Sequence, residues 1–109
     1  MHELSITQSV VDAVLERLPD TKIAGVRLEI GKLSGIMPDS VRFCFDLVIA
    51  GTSLEGARLD IDEPSGRAHC VDCDTEFAVD DLILLCPCGS ANVEVLAGRQ
   101  LRIRSVEVV

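Results

Sequence analysis

Two stretches of helical periodicity, three of strand alternation and two close cysteine pairs predict an α+β fold. In it, two helices lie on a small mixed three-stranded sheet, and a zinc-ribbon-like lobe is inserted before the last strand. The chain is short, at 109 residues, and nearly half of it is apolar. That is enough for one core, filled by Leu, Val and Ile because only three residues are aromatic.

The first helix is expected over residues 4–18. Leu4, Val10, Val11, Val14, Leu15 and Leu18 share one face at 100° per residue, with Ser5, Gln8, Asp12 and Glu16 opposite. Ser5 and Gln8 have the spacing of a capping box, although the helix can begin a residue or two earlier, and Pro19-Asp20 ends it. From Ile23 to Ile30, Val26, Leu28 and Ile30 alternate with Arg27 and Glu29, as a half-buried strand does. Gly31-Lys32-Leu33-Ser34-Gly35 reads as a loop. Pro38 then opens a second helix running to about Ile49, with Asp39 and Ser40 at its positive end. Val41, Phe45 and Val48 form its apolar stripe, and Cys44 is expected as a small buried core residue. Gly51 closes the helix. A second strand follows, in which Ala57, Leu59 and Ile61 alternate with Arg58, Asp60 and Asp62.

Pro64-Ser65-Gly66 marks a boundary, and the cysteine-bearing lobe begins there. A short strand over Thr75–Val79 and an apolar run over Leu82–Leu85, packing against the cysteines, are expected inside it. Val93–Leu96 leaves the lobe, Gly98 turns the chain, and Leu101–Val109 is the last strand, with a change of face or a bulge near Ser105. The expected domains are therefore 1–64 with 97–109, and the insertion 65–96.

Four of the five cysteines fall within nineteen positions, as Cys70-x-x-Cys73 and Cys86-Pro87-Cys88 separated by twelve residues. Two chelating pairs supply four thiolates, the donor set of a closed tetrahedral Zn(II) site with no open position for catalysis. A lobe of some thirty residues cannot hold itself together by burial alone, so the metal is structural. A redox Cys-x-x-Cys would stand alone at a helix start. The single residue between Cys86 and Cys88 makes a tighter chelate than usual, and His69 is the alternative ligand if the tetrahedron is distorted. At the other end, Met1-His2-Glu3 offers an α-amine, backbone amides and an imidazole, a planar nitrogen set suited to Ni(II) or Cu(II). Glu3 can orient the imidazole or add an oxygen.

A formal charge of −8 excludes a nucleic-acid backbone as partner. No apolar run reaches membrane-spanning length and the first twenty residues lack a signal peptide's pattern, so a cytoplasmic location with reduced thiols is expected. With two histidines and no paired nucleophile and base, no enzymatic constellation is present. Two rivals to a metal carrier follow from the cysteines alone: a zinc-ribbon docking module and a thiol oxidoreductase.

Taken together, Met1-His2-Glu3-Leu4-Ser5, Gly31-Lys32-Leu33-Ser34-Gly35, Phe43-Cys44-Phe45-Asp46, both cysteine pairs with Gly89-Ser90, and the Gly98–Val108 ending resemble the HypA/HybF family of nickel metallochaperones. The resemblance spans essentially the whole chain and departs in one place, where the family's Cys-Pro-x-Cys-Gly is one residue short. It implies nickel held through Met1, His2 and Glu3, and zinc at Cys70, Cys73, Cys86 and Cys88. It also implies a HypB-type maturation GTPase and a [NiFe]-hydrogenase large subunit as partners, with a homodimer left open.

Overall fold

A computed structural model describes residues 2–109 as α1 (Glu3–Arg17), β1 (Ile23–Ile30), α2 (Pro38–Val48), β2 (Arg58–Asp62), β3 (Gly66–Cys70), β4 (Glu76–Val79), β5 (Val93–Ala97) and β6 (Leu101–Val108). The strands form two three-stranded sheets, ordered β2-β1-β6 and β4-β3-β5. The helix–strand order and the insertion before the last strand agree with the predicted α+β architecture. The chain divides into two compact units: one from the stretches ending at Leu28, Ile36–Ile61 and Arg102–Val109, the other from Glu29–Gly35 with Asp62–Leu101.

In the first unit α1 packs on α2, and β1 places Ile23, Val26 and Leu28 in the core. The buried stripe of α1 is Glu3, Thr7, Val10, Val11 and Val14, which corrects the predicted face at its N-terminal end. Leu4 is more than half exposed. Glu3 takes the inward place in the first turn, where its carboxylate accepts the Met37 N–H. The capping box also fails, because the helix begins at Glu3 and its N-cap is His2, with no side-chain cap. Ser5 Oγ lies inside the helix and donates to the His2 carbonyl, while Gln8 Nε2 donates to Asp12. On α2, Val41 and Phe45 are buried as expected, but Cys44 is only half-buried and Phe43 and Leu47 are exposed. The helix buries one narrow stripe, and Cys44 lies at its edge rather than in the core. Across the sheet's outer face Arg58 of β2 reaches over Gly25 of β1 to Glu107 of β6 at 3.0 Å. This exposed pair adds little stability but is compatible with the observed strand order.

The second unit is built around β3, a strand that the sequence reading did not anticipate. Its pattern, Gly66-Arg67-Ala68-His69-Cys70, carries no β-branched residue, yet it is the centre of an antiparallel sheet. Residues Gly66 to His69 pair with Val79 to Glu76, and Arg67 to Cys70 with Ala97 to Val93, with a bulge between Arg67 and Ala68. Ala68 is fully buried with Val79 and Leu33. Leu33 comes from the Gly31–Gly35 loop, whose Leu33 N–H donates to the Gly98 carbonyl at 2.8 Å. Glycine is required where these backbones meet: a Cβ on Gly31 would lie 2.1 Å from the Gly98 oxygen. Gly31→Ala is therefore expected to cost about 2–3 kcal/mol through forced backbone displacement. Denaturant unfolding of the metal-loaded protein would measure it, and an unchanged midpoint would mean that the loop yields.

The Leu82–Leu85 run also differs from expectation. Only Leu84 packs on the Leu33–Ala68–Val79 core, while Leu82, Ile83 and Leu85 are exposed. The run pairs with no strand, and the Asp81 carboxylate holds the Ile83 N–H at 2.9 Å in a tight turn.

Candidate metal centres

The cysteine centre is assembled by two backbone loops. Cys70 ends β3, and the chain doubles back at once: Asp74 N–H donates to the Cys70 carbonyl and Cys70 N–H to the Thr75 carbonyl, both at 2.9 Å. Asp74 adopts φ +59° at this turn, a conformation that a short polar side chain tolerates. The second loop closes in the same manner, with Cys86 N–H donating to the Ser90 carbonyl and Gly89 N–H to the Cys86 carbonyl. Gly89 turns it at φ +96°.

These loops bring the side chains of Cys70, Cys73, Cys86 and Cys88 within 4.8 Å of one another. Cys73 Sγ lies 3.5 Å from Cys86 Sγ, and Cys70 Sγ 3.8 Å from Cys88 Sγ. Disulfide sulfurs would be about 2.05 Å apart. A tetrahedron of thiolates around zinc, with bonds of about 2.3 Å, has edges of roughly 3.8 Å. The two distances between the pairs are thus close to such an edge, and all four sulfurs lie near enough to share one ion. Two backbone donors face them: Cys73 N–H toward Cys70 Sγ at 3.5 Å and Cys88 N–H toward Cys86 Sγ at 3.4 Å. Such donors stabilise thiolate charge.

Electrostatically the four thiols are unequal. The Thr75 hydroxyl, and after it the Cys86 thiol, pull Cys73 down to about 6. Cys86 is pushed up to about 12: the Cys88 N–H lowers it, but burial and the surrounding thiols outweigh that donor. Any metal that takes both as thiolates must therefore displace the Cys86 proton. His69 is directed elsewhere. Its Nε2 lies 2.6 Å from Asp74 Oδ1, a contact that raises its pKa, and it is not among the clustered ligand atoms of the described residues.

One set of contacts around this centre had no signal in the sequence. Asp72, between the first two cysteines, accepts Ser90 Oγ–H at 2.5 Å and Asn92 Nδ2–H at 3.4 Å, and Asn92 N–H donates to Ser90 Oγ at 3.0 Å. Asp72 and Ser90 thereby tie one cysteine loop to the other.

At the N-terminal end, Met1 lies outside the described residues. His2 is exposed and immediately precedes α1, where its carbonyl accepts the Ile6 N–H at 2.9 Å. Glu3 is nearly buried, and its carboxylate accepts the Met37 N–H at 3.3 Å, at the start of α2. Thr7 Oγ1–H binds the Glu3 carbonyl at 2.6 Å. The imidazole thus faces solvent while the next side chain is anchored in the fold. Beside them is an open cleft of about 400 Å³ lined by Glu3, Leu4, Asp39, Ser40, Phe43 and Cys44.

A family profile described as "Hydrogenase/urease nickel incorporation, metallochaperone, hypA" matches residues 1–108. The hydrogenase maturation factor HypA of a Nostoc species is 49% identical over 108 residues, covering 99% of this chain and 96% of that one. The HypA of Geobacter sulfurreducens is 48% identical over 109 residues, covering 99% of each. The solution structure of the Ni metallochaperone HypA from Helicobacter pylori superposes with a TM-score of 0.65 at 25% identity, covering 100% of this chain and 98% of that one. A second HypA solution structure, at 24% identity and TM-score 0.61 over 97% of this chain and 92% of that one, shares the fold.

Proposed function

Because this chain belongs to the HypA family of nickel-incorporation metallochaperones, we propose that it carries Ni(II) at its N-terminus for the maturation of a [NiFe]-hydrogenase. Zn(II) is assigned in the same proposal to Cys70, Cys73, Cys86 and Cys88. The family consists of metallochaperones, not enzymes. The observation that carries the reading is the family match over residues 1–108. The exposed His2 and the anchored Glu3 support it.

In this proposal the Met1 amine, the following backbone nitrogens and the His2 imidazole form a planar donor set for Ni(II). Glu3 acts by position. Its carboxylate accepts the Met37 N–H and so holds the first turn of α1, while the His2 side chain is exposed. A carrier needs this combination, because a cargo ion bound at an open chain end can be released donor by donor. The proposed domains are a nickel-binding one, residues 1–64 with 97–109, and an inserted zinc-binding one, 65–96. The proposed partners are a HypB-type GTPase and the hydrogenase large subunit, in the cytoplasm. Among the described residues, no helix is long and apolar enough to cross a membrane. The exposed apolar side chains Leu4 and Phe43, which line a cleft with Glu3, offer a docking area for the donor or acceptor of nickel.

The test is functional. In cells lacking their own copy, this chain should restore nickel-dependent hydrogenase activity, and its His2→Ala variant should not at limiting nickel. Full restoration by His2→Ala would contradict the proposal.

Two further results are expected at the cysteine centre. Asp72→Ala removes the link between the cysteine loops and should weaken zinc binding by about 10–100-fold, the range seen when a partner of a ligand loop is lost. Competition against a chromogenic chelator measures this, and an unchanged affinity would make the link incidental. Zinc affinity should also fall with pH. Between pH 8 and 7 the Cys86 proton alone imposes at least about a tenfold loss per unit, steepening near 6 as Cys73 is protonated as well. A flat profile over this range would mean that zinc does not compete with thiol protons there.

A further inference from the structure

The stretch between β4 and the second cysteine pair presents apolar side chains to solvent although the core lies within reach. Leu84 packs on Leu33, Ala68 and Val79, which pins the middle of the stretch to the core. The neighbouring Leu82, Ile83 and Leu85 are 67%, 73% and 51% exposed. The hydrogen bond from the Ile83 N–H to Asp81 Oδ1 fixes the turn that presents the first two. A pinned loop holding three adjacent large aliphatic side chains outward has the character of an interaction surface.

Its surroundings select the partner. Residues 62–101 contain eight carboxylates and two arginines, so six of the chain's eight net negative charges lie in this region. Asp80 and Asp81 immediately precede the apolar run. On the zinc reading above, a divalent ion held by four thiolates contributes two more negative charges beside Leu85. An anionic lipid surface or a nucleic-acid backbone would be repelled, and a second copy would bring an equally acidic lobe against this one. We infer that the Leu82–Leu85 run is a docking surface for a basic amphipathic segment of a partner protein. Its apolar face covers Leu82, Ile83 and Leu85, and its Lys or Arg side chains face the acidic border, which sets orientation and accelerates encounter. The patch is small, so the complex is transient, as suits a partner that must leave.

The experiment uses the full zinc-loaded chain and a fluorescein-labelled helical peptide of leucine and lysine, with a leucine–glutamate peptide as control. The lysine peptide should bind with an affinity that falls as salt is raised, and the glutamate peptide should not bind. Leu82→Ser with Ile83→Ser should weaken lysine-peptide binding at least about tenfold. Leu47→Ser on α2, another exposed aliphatic residue, should leave it unchanged. Zinc content equal to that of the parent verifies that the double variant is folded. If it is not, the single Ile83→Lys variant decides, since it should repel the same peptide. Undiminished binding by a folded variant would overturn the inference. So would self-association of the parent chain that the double substitution abolishes, which would put a second copy on this surface.

Discussion

Stripping the proposed zinc from the folded protein is expected to unfold the cysteine lobe and leave α1 standing. In the second unit the buried apolar set is short: Ile30, Leu33, Ala68 and Val79, with Cys70 and Cys86, whose burial serves the site itself. So few buried side chains are too little to hold a lobe of this size by packing alone. Zinc binding to a four-ligand site supplies about 10–16 kcal/mol near neutral pH, which the lobe's own packing cannot replace. The first unit depends on a different set of buried residues, among them Val11, Val14, Ile23, Val26, Val41 and Phe45. Hydrogen exchange after chelation should therefore show loss of protection across β3, β4 and β5 with retained protection in α1 and β1. Serine at Cys70 or Cys86 should have the same effect. Protection retained in β3 without metal would mean that the lobe is held by packing and that zinc is an accessory.

The second large effect belongs to the N-terminus. His2→Ala removes the only imidazole of the proposed donor set, and nickel affinity should fall more than about 100-fold, beyond the range for loss of an indirect partner. Zinc content should not change, because the cysteine ligand set does not include His2. A Gly-Ser extension before Met1 should act similarly by taking the amine away from its neighbours. The two variants together distinguish amine and imidazole from adventitious binding by the acidic surface, which neither alters.

How far the sequence could be read depended on the kind of signal each element carried. β1 was legible to the residue because Val26, Leu28 and Ile30 alternate with charged neighbours, and α2 because Pro38 fixes its start. The cysteine cluster was legible from spacing alone, since close pairs must fold back on themselves and bring their sulfurs together. β3 was not, because Gly66-Arg67-Ala68-His69-Cys70 has no strand-favouring residue; its place is set by tertiary packing of Ala68 on Leu33 and by flanking strands. The α1 face was misjudged at its start because Leu4 looks like core and Glu3 does not. Burying Glu3 requires donors, and one of them, the Met37 N–H, is 34 residues away. Cys44 and the Leu82–Leu85 run were misplaced by the same assumption, that apolar side chains turn inward. The Asp72–Ser90 link was invisible for a different reason: serine and aspartate are common in loops, and only the folded register of the two cysteine pairs gives them each other as partners.

The central claim is that Ni(II) is held by the chain end through the amine and His2. Nickel-edge X-ray absorption on the protein loaded with one equivalent of Ni(II), alongside its visible spectrum, tests this most directly. A planar nitrogen-dominated site with a d–d band, lost in His2→Ala while the zinc edge is unchanged, is the expected result. Sulfur ligation at the nickel edge, or a nickel spectrum indifferent to His2, would place the cargo at the cysteines and contradict the account.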